Sequence, residues 1–489
     1  MSEIDVLIIG SGMGGATLAH ALAATGRRIV VLERGDYLTD SAQARDPVAI
    51  YGRGHYRPEE TWLTPEGARF NPGCFSYVGG NSKFYGGVLM RYREADFAPM
   101  HHMGGKTPGW PFGYDVLAPY YTRAEALFGV HGDHSVDPTE PPHDAPYPHP
   151  PVPDEPEIRD LSARLRRVGL HPSPLPLAVD IDAWLARANT PWDGFPDTTG
   201  AKRDAETVLR YALQHPNVEL RVGVRVDRLE CRGNTITAAL TSAGRIEART
   251  IVLAAGAVHS AAILLRSTDP DHPRGLANRS DQVGRNFMNH NASALLALSH
   301  RRNRSVYQKT LQINDWYLTG GPGGEPLGNV QLLGRVSGPI LASQTNLPGW
   351  LARMVADHAI DFYLMSEDLP TSDSRVTVRG DDIVLDWQRS NWDAHLTLVT
   401  RLKAALRRAG FPICVSKAFD RRTPSHQCGT LRIGSDPRSS VADPFGRSHD
   451  HPNLYICDGA LLPTSAAVNP SLTIAALALR QADHMKEAA

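Results

Sequence analysis

The first forty residues constrain the fold more than any other part of the chain. The apolar, β-branched run Ile4–Ile9 predicts a strand that is buried on both faces. The glycine-rich stretch Gly10–Gly15 follows at once, residues 16–24 read as an alanine-rich helix, and Arg28–Leu32 reads as a second strand. A strand, a glycine turn, a helix and a strand in this order predict the start of a Rossmann-like, dinucleotide-binding sheet.

The glycines of this turn have separate physical tasks. Gly10 permits the tight turn, Gly12 lets a pyrophosphate approach the backbone, and Gly15 allows the helix to lie close to the sheet. The helix N-terminus presents N–H groups to the phosphates. Glu33 ends the second strand, where a carboxylate can bind ribose hydroxyls and disfavours a 2′-phosphate. The motif therefore favours FAD or NAD over NADP and does not separate those two.

Composition excludes several classes of protein. The chain has 489 residues, which suggests roughly two to four domains. Its net charge of −1 offers no general attraction to nucleic acid or to an anionic membrane. No apolar run reaches the roughly 18 residues of a membrane helix, and the acidic N-terminus does not resemble a secretory signal. We therefore expect a cytoplasmic protein that binds neither nucleic acid nor membranes.

The five cysteines predict no metal or disulfide chemistry. They are scattered, odd in number and never spaced as C-x-x-C. The four histidines within residues 131–156 also lack the periodicity of metal ligands, so no metal site is expected.

The remaining segments predict a mixed fold. Residues 131–156 hold nine prolines, which excludes a helix or central strand and predicts a surface loop. Val218–Val226 alternates as one half-exposed strand, Leu295–Trp387 reads as an antiparallel sheet, and the C-terminus returns to a strand and a long helix. The predicted fold class is α/β (α+β), with a Rossmann-like FAD-binding domain interleaved with a substrate domain on an antiparallel sheet. The predicted domain boundaries are 1–130, 205–295 and 430–489 for the FAD-binding domain, 157–204 and 296–429 for the substrate domain, and 131–156 for the loop.

Several blocks along the chain resemble one known family. They are the N-terminal fingerprint, Val78–Gly87, Ala254–Ser260, Val283–Asn286, His426–Gly434, Asn453–Gly459 and Asn469–Thr473. Together they resemble the glucose–methanol–choline (GMC) oxidoreductases, which are FAD-dependent enzymes that oxidise alcohols and sugars. The H-x-x-G-T-x-R-x-G form of the His426 block is similar to pyranose 2-oxidase and to related bacterial sugar and glycoside oxidases.

The resemblance implies a set of cofactor-binding residues. Those expected at the dinucleotide are Gly10, Gly12, Gly15, Glu33, Arg34, Gly79, Gly80, Asn81, Val226, Gly256, Asp458, Gly459, Asn469, Pro470 and Thr473. Within this set, Gly79–Asn81 would pass the flavin, the Val226 backbone would contact adenine, and Asp458 with Gly459 would meet the ribityl and pyrophosphate portion. The helix that opens at Asn469–Thr473 would face the flavin C2 carbonyl, where its N-terminus stabilises negative charge. Ser82–Tyr85 offers no histidine for a covalent link, so non-covalent FAD is expected.

The implied catalytic pair is His426 and Asn469. An imidazole is suited to accept the hydroxyl proton while a hydride leaves for flavin N5, and Asn469 can orient the substrate oxygen. No role is assigned to His259, His290, His449 and His451, which are expected to be structural or to lie at the surface.

The expected substrate is a sugar, glycoside or polyol, with oxygen or another electron acceptor as the second substrate. The alternatives are a sterol, aryl or alkyl alcohol oxidase, a non-redox hydroxynitrile-lyase-type member, and an NAD dehydrogenase. Aromatic candidates for the pocket, Trp350 and Phe362 with neighbouring Leu351, suit sugars and apolar substrates alike. The sequence leaves the oligomeric state open, a homo-oligomer included.

Overall fold

The computed structural model describes residues 3–423 and 426–487. The strands of this part of the chain are β1 (Val6–Ile9), β2 (Ile29–Leu32), β3 (Trp62–Leu63), β4 (Arg69–Phe70), β5 (Met100–His102), β6 (Gly105–Thr107), β7 (Ser173–Pro174), β8 (Val218–Arg221), β9 (Val226–Arg232), β10 (Thr235–Thr241), β11 (Gly244–Glu247), β12 (Thr250–Leu253), β13 (Asn291–Leu298), β14 (Leu311–Ile313), β15 (Asn329–Leu332), β16 (Ala359–Ser366), β17 (Arg375–Arg379), β18 (Asp382–Asp386), β19 (Ile413–Ala418) and β20 (Leu454–Ile456). The α-helices are α1 (Met13–Ala23), α2 (Tyr114–Phe128), α3 (Pro156–Arg167), α4 (Ile181–Leu185), α5 (Ala205–Ala212), α6 (Ala257–Arg266), α7 (Gly338–Gln344), α8 (Gly349–Ala356), α9 (Trp392–Arg408) and α10 (Ser471–Glu487).

The first layer is a five-stranded parallel sheet in the order β20-β12-β1-β2-β8. In β1, Val6 and Ile8 face a core shared with α1, α5 and α10, while Leu7 and Ile9 face the larger core on the other side. Both faces of the strand are thus covered, which explains its uninterrupted apolar sequence. The Rossmann-like sheet predicted from the first forty residues is confirmed.

The second layer is a six-stranded sheet in the order β19-β13-β16-β15-β14-β7, and every pairing in it is antiparallel. One face carries Leu295, Val330 and Phe362, which pack against apolar side chains of α3 and α9. Because side chains alternate across a strand, Gln312 and Gln331 point to the opposite face. This polar face lies on the side of the C-terminal segment that precedes α10, as a Gln331 contact with Asn469 shows.

One predicted strand is two strands in the structure. Val218–Val226 was expected to be continuous, but β8 ends at Arg221 in the parallel sheet and β9 begins at Val226 in a separate sheet with β10 and β11. Gly223 has φ +70, a left-handed conformation that breaks the extended backbone between them. The apolar–polar alternation continued across this turn and concealed it. The interleaving of the parallel and antiparallel sheets along the chain is as expected, whereas the exact domain boundaries stay a prediction.

Residues 131–156 have no helix or strand before α3, as their prolines predict. They are nevertheless anchored to the interior. The Asp137 and Glu140 carboxylates lie 2.7 and 3.3 Å from the guanidinium of buried Arg93. These ion pairs hold the segment against the protein core.

Candidate active site

The carboxyl edge of the parallel sheet gathers most of the predicted cofactor residues. Gly10 follows β1, Glu33 follows β2, Gly256 lies just after β12, and Asp458 lies just after β20. These strands are neighbours, with Ile9 in register with Leu32 and Leu253. Residues that are far apart in sequence therefore meet at the edge where open α/β sheets bind ligands.

Three of the glycines differ in what surrounds them. A Cβ atom on Gly10 would lie 2.3 Å from the Ala254 carbonyl oxygen, and one on Gly15 would lie 2.1 Å from the Gly10 oxygen. A Cβ on Gly12 would meet nothing within 4 Å. Gly10 and Gly15 are thus required by close packing, while Gly12 borders open space. This open space beside Gly12, at the start of α1, is called the cradle below. A dinucleotide pyrophosphate needs such a space beside a glycine at a helix N-terminus, so the residues present fit FAD.

Glu33 braces the glycine turn from within. Its Oε2 accepts hydrogen bonds from the Ser11 backbone N–H and hydroxyl at 3.1 and 2.6 Å, and its Oε1 accepts one from the Gly35 N–H at 3.0 Å. The Gly79 N–H in turn donates to the Ser11 hydroxyl at 3.0 Å. Both carboxylate oxygens have partners within the chain, so the ribose contact stays a prediction.

The Gly79–Asn81 loop lies over the same cradle. Gly79 and Gly80 have φ +93 and +57, and a Cβ on Gly80 would lie 3.6 Å from the Gly12 Cα. Asn81 accepts a hydrogen bond from the Phe75 N–H at 2.8 Å, which fixes the loop's entrance. The structure therefore brings this loop and the first glycine turn together, while its contact with the flavin stays a prediction.

Asp458 connects the ends of β20 and β12. Its Oδ2 accepts hydrogen bonds from the Gly256 N–H at 2.9 Å and the Ser260 hydroxyl at 2.6 Å, and its Oδ1 accepts one from the Ala460 N–H at 2.8 Å. Burial raises the pKa of this carboxyl, and these hydrogen bonds oppose the rise. A Cβ on Gly459 would come within 2.9 Å of the Gln427 carbonyl oxygen, close to the His426 segment.

The other predicted cofactor residues occupy varied positions. Arg34 lies 2.9 Å from Glu60 and 3.0 Å from the His259 ring, and Val226 is buried at the start of β9. Pro470 directly precedes α10, and the Thr473 hydroxyl lies 2.8 Å from the Tyr121 hydroxyl. None of these contacts tests the roles that the resemblance implies, which stay predictions.

The predicted catalytic pair is in direct contact. The Asn469 Nδ2 amide lies 3.2 Å from His426 Nε2, although the two residues are 43 positions apart. His426 has φ +71, a left-handed conformation that an L-residue keeps only when its surroundings enforce it. The structure thus holds the imidazole in a costly position next to Asn469.

The surroundings of His426 keep it uncharged. Burial is the largest effect, followed by His290 and the Lys309 ammonium, and together they hold the pKa of His426 well below its ordinary value of 6.5. A neutral imidazole at neutral pH has one nitrogen free to accept a proton, which is the state that a general base requires.

Two residues that sequence reasoning missed complete this cluster. His290 Nδ1 lies 2.7 Å from His426 Nδ1, and Gln331 Nε2 donates to Asn469 Oδ1 at 2.7 Å. The sequence assigned His290 no functional role, and its buried side chain contacts His426 of the predicted catalytic pair. The apolar–polar alternation of Leu311–Ile313 and Asn329–Leu332 was the signal that could have found Gln331, because it marks a sheet with one polar face.

The aromatic pocket candidates do not form a pocket wall. Trp350 is 71% exposed on α8, and Phe362 belongs to the core between the antiparallel sheet and its helices. They carry no information about the substrate.

Within residues 3–423 and 426–487 one group of side chains has the composition of a metal site. Cys231, Asp269 and His272 have ligand atoms within 4.8 Å of one another. The Cys231 thiol and the His272 ring are both hydrogen-bonded to the Asp269 carboxylate, at 3.3 and 2.9 Å, which accounts for their proximity. All five cysteines are unpaired.

Comparisons with known proteins agree with this geometry. Profiles described as GMC oxidoreductase match residues 191–292 and 370–478, and one described as an NAD(P)-binding Rossmann-like domain matches residues 8–55. Two relatives cover nearly the whole chain. Paromamine 6′-oxidase of Streptomyces fradiae is 31% identical over 98% of this chain and 90% of its own. The 6‴-hydroxyparomomycin C oxidase of Streptomyces lividus is 33% identical over 97% and 90%.

The fold has solved counterparts as well. The crystal structure of pyridoxine 4-oxidase from Mesorbium loti aligns over 99% of both chains with a TM-score of 0.67 at 21% identity. Among the helices of the described residues, none has the length and apolarity needed to cross a bilayer.

Proposed function

The chain belongs to the GMC oxidoreductase family, and from this premise we propose that it oxidises a hydroxyl group of a sugar, glycoside or polyol to the carbonyl, with His426 as the base. The two Streptomyces relatives are named as oxidases of paromamine and of 6‴-hydroxyparomomycin C, and we take a polar, polyhydroxylated or amino-substituted ring as the first substrate class to test.

The observation that carries the proposal is the set of unpaired polar atoms on the polar face of the antiparallel sheet, beside Asn469. Asn329 Oδ1 and Gln331 Oε1 lie on the polar face of the antiparallel sheet, and neither has a hydrogen-bond partner among the described residues. Both side chains are buried, 0% and 1% exposed, so an unpaired acceptor there is costly. Substrate hydroxyl or ammonium groups are donors that would satisfy such acceptors, whereas a sterol ring would leave them unpaired.

Charged groups near His426 point to the same substrate class. The Lys309 ammonium, which contributes to the low pKa of His426, lies 2.8 Å from the Asp193 carboxylate. An ion pair whose cation acts on the pKa of His426 favours a ligand that forms hydrogen bonds over an entirely apolar one. We therefore place sterol and simple alkyl alcohols behind sugars and glycosides as substrates.

The residues of this chain perform the proton transfer and the positioning. His426 Nε2 accepts the hydroxyl proton of the substrate, and the Asn469 amide donates a hydrogen bond to the same oxygen. Gln331 holds the Asn469 side chain by its Oδ1, so that the Nδ2 group faces His426. FAD, when bound in the cradle beside Gly12, supplies the acceptor for the hydride that leaves the substrate carbon.

We also propose that FAD is bound without a covalent link and that oxygen or another acceptor reoxidises it. The support for the first point is the composition of the loop beside the cradle, where Ser82–Tyr85 contains no histidine or cysteine. Denaturation of the purified protein in acid would then release all of the flavin into the supernatant.

The deciding experiment is anaerobic reduction of the flavin by a panel of substrates. We expect glycosides and aminoglycosides to bleach the absorbance near 450 nm, and steroids and aryl alcohols to leave it unchanged. His426→Ala should retain FAD and lose most of the reduction rate, while His300→Ala, a change at an exposed histidine, should behave as wild type. Bleaching by sterols alone would refute the substrate class, and rapid reduction of the His426→Ala variant would refute the mechanism.

A further inference from the structure

We propose that His290 is a positioning residue that fixes the tautomer of His426, so that the unprotonated nitrogen of the catalytic imidazole always faces the substrate. The inference rests on the proposed role of His426 as the base. His290 contacts Nδ1 of the His426 ring, whereas Nε2 is the nitrogen that faces the substrate in the proposed mechanism.

The proton positions follow from what His290 contacts. His290 Nε2 lies 3.0 Å from the Ser465 carbonyl oxygen and 2.9 Å from the Ala466 carbonyl oxygen. Carbonyl oxygens only accept, so Nε2 must carry the hydrogen. Burial lowers the pKa of His290 to about 4, against the opposing effect of these two carbonyls, so the ring is neutral at neutral pH. Its Nδ1 is therefore a hydrogen-bond acceptor.

The same reasoning then determines His426. Its Nδ1 lies 2.7 Å from the accepting Nδ1 of His290, so His426 Nδ1 must donate the hydrogen of that bond. Because His426 is also neutral, its Nε2 is left without a hydrogen and accepts from Asn469 Nδ2 at 3.2 Å. The hydrogen bonds of the pair have one consistent direction, from His426 to His290 and on to the backbone carbonyls.

The two carbonyls that end this chain of hydrogen bonds are themselves held in place. The Ala466 N–H donates to the Glu367 carboxylate at 2.9 Å, and the Tyr92 hydroxyl donates to the Ser465 carbonyl at 3.0 Å. Ala466 has φ +50, a second left-handed non-glycine residue in the same cluster as His426. Because this backbone is fixed, the two carbonyl oxygens always accept from His290 Nε2. The tautomer of His426 is fixed as a result.

The arrangement also suits the charge that the reaction creates. When the hydroxyl proton reaches His426 Nε2, the ring becomes an imidazolium and its Nδ1–H bond to His290 becomes charge-assisted. The contact is therefore stronger after proton transfer than before it, which is the property of an interaction that accelerates the step. Without an acceptor opposite Nδ1, the single proton of neutral His426 could move to Nε2 and block the base.

Two near-isosteric variants separate this role from a structural one. The amide oxygen of His290→Asn takes the place of Nδ1 as an acceptor, and the amide N–H of His290→Gln takes the place of Nε2 as a donor to the carbonyls. We expect His290→Asn to retain most of the rate of anaerobic flavin reduction, and His290→Gln to lose about 100-fold or more, the scale of general-base catalysis. A residue that merely anchors Ser465 and Ala466 predicts the opposite order.

A second readout does not depend on turnover. Two-bond ¹H–¹⁵N spectra of protein labelled with ¹⁵N-histidine report which ring nitrogen is protonated, and the His426→Ala spectrum identifies the His426 signals. We expect His426 to be protonated at Nδ1 in the wild type and in His290→Asn, and to shift toward Nε2 protonation in His290→Gln. Bound FAD per chain and the unfolding temperature confirm that each variant is folded.

The outcomes distinguish the two proposals. If His426→Ala reduces its flavin as fast as wild type, the proposed base is wrong. If His426→Ala is inactive but His290→Gln is at least as fast as His290→Asn, or if the wild-type His426 is protonated at Nε2, the base stands and the tautomer role of His290 is overturned.

Discussion

Two alanine substitutions two positions apart should separate cofactor binding from folding. Gly12→Ala adds a methyl group that meets nothing within 4 Å, at a residue whose φ of −69° and ψ of −169° alanine adopts freely. Gly14→Ala adds the same group 1.7 Å from the Cys457 carbonyl oxygen, where α1 lies against the residue that follows β20. The two variants add the same methyl group, and the main difference between them is what the new Cβ meets.

The magnitudes follow from these surroundings. At Gly12 the restriction of the unfolded chain stabilises by about 0.4–1 kcal/mol, and the loss of a preferred helix-capping residue offsets a similar amount. At Gly14 the overlap must be relieved by moving the helix, which costs about 1–3 kcal/mol or more. In contrast, one lost hydrogen bond to a charged phosphate is worth about 1.5–3 kcal/mol, so Gly12→Ala should weaken FAD binding by about 10- to 150-fold.

The assay has two parts. Thermal or urea unfolding of flavin-free protein measures stability, and quenching of FAD fluorescence on titration measures affinity. We expect Gly12→Ala to unfold as wild type does and to bind FAD poorly, and Gly14→Ala to be destabilised before any cofactor is added. An unchanged FAD affinity of Gly12→Ala would refute the assignment of the open space beside Gly12 to the pyrophosphate.

Three further predictions follow. The rate of flavin reduction should stay constant as the pH falls to 6.5 and decline only below it, because His426 must be neutral to act as the base and its pKa is lowered. Lys309→Met removes a positive charge that lowers this pKa, so the decline should begin at a higher pH. A wild-type midpoint at or above pH 6.5 would contradict this reasoning. Gln331→Leu should lower kcat/KM for glycosides by about tenfold or more, because Asn469 loses a hydrogen bond, while the amount of bound FAD stays unchanged. Kinetics equal to wild type would contradict the role proposed for the polar face of the antiparallel sheet. Lys83→Met should destabilise by about 3–5 kcal/mol in urea unfolding, because it removes the cation beside the buried Asp204 carboxylate and one of the two cations beside Glu206, which keeps Arg210. Arg438→Met, at an exposed ion pair, is the matched control and should change little.

Local patterns in the sequence predicted the parts of the fold that depend on neighbours along the chain. The Rossmann-like start at Ile4–Leu32, the antiparallel sheet and the long C-terminal helix are all present. In these segments burial on one or both faces leaves a direct periodic signal. The strand predicted at Val218–Val226 failed because two strands of different sheets share one continuous alternation.

The parts of the site that were missed depend on contacts between distant residues. His290 and His426 are 136 positions apart, and no local pattern around His290 indicates that the two rings meet. The anchoring of residues 131–156 is similar, since the acceptors Asp137 and Glu140 meet an arginine that lies more than forty positions earlier in the chain. The pair His426 and Asn469 was found only because both lie in segments that resemble the family.

The order of the strands in the parallel sheet has a consequence for synthesis of the protein. β1 pairs with β12, and β12 pairs with β20, so the edge of the sheet closes only after residues 454–456 have left the ribosome. Asn469 and α10, which packs against α1, emerge later still. Pairings of such long sequence separation form slowly, and the outer edge of β12 must stay unpaired in the nascent chain until then. Capture of the flavin is therefore a late event, and chaperone demand during translation should be high.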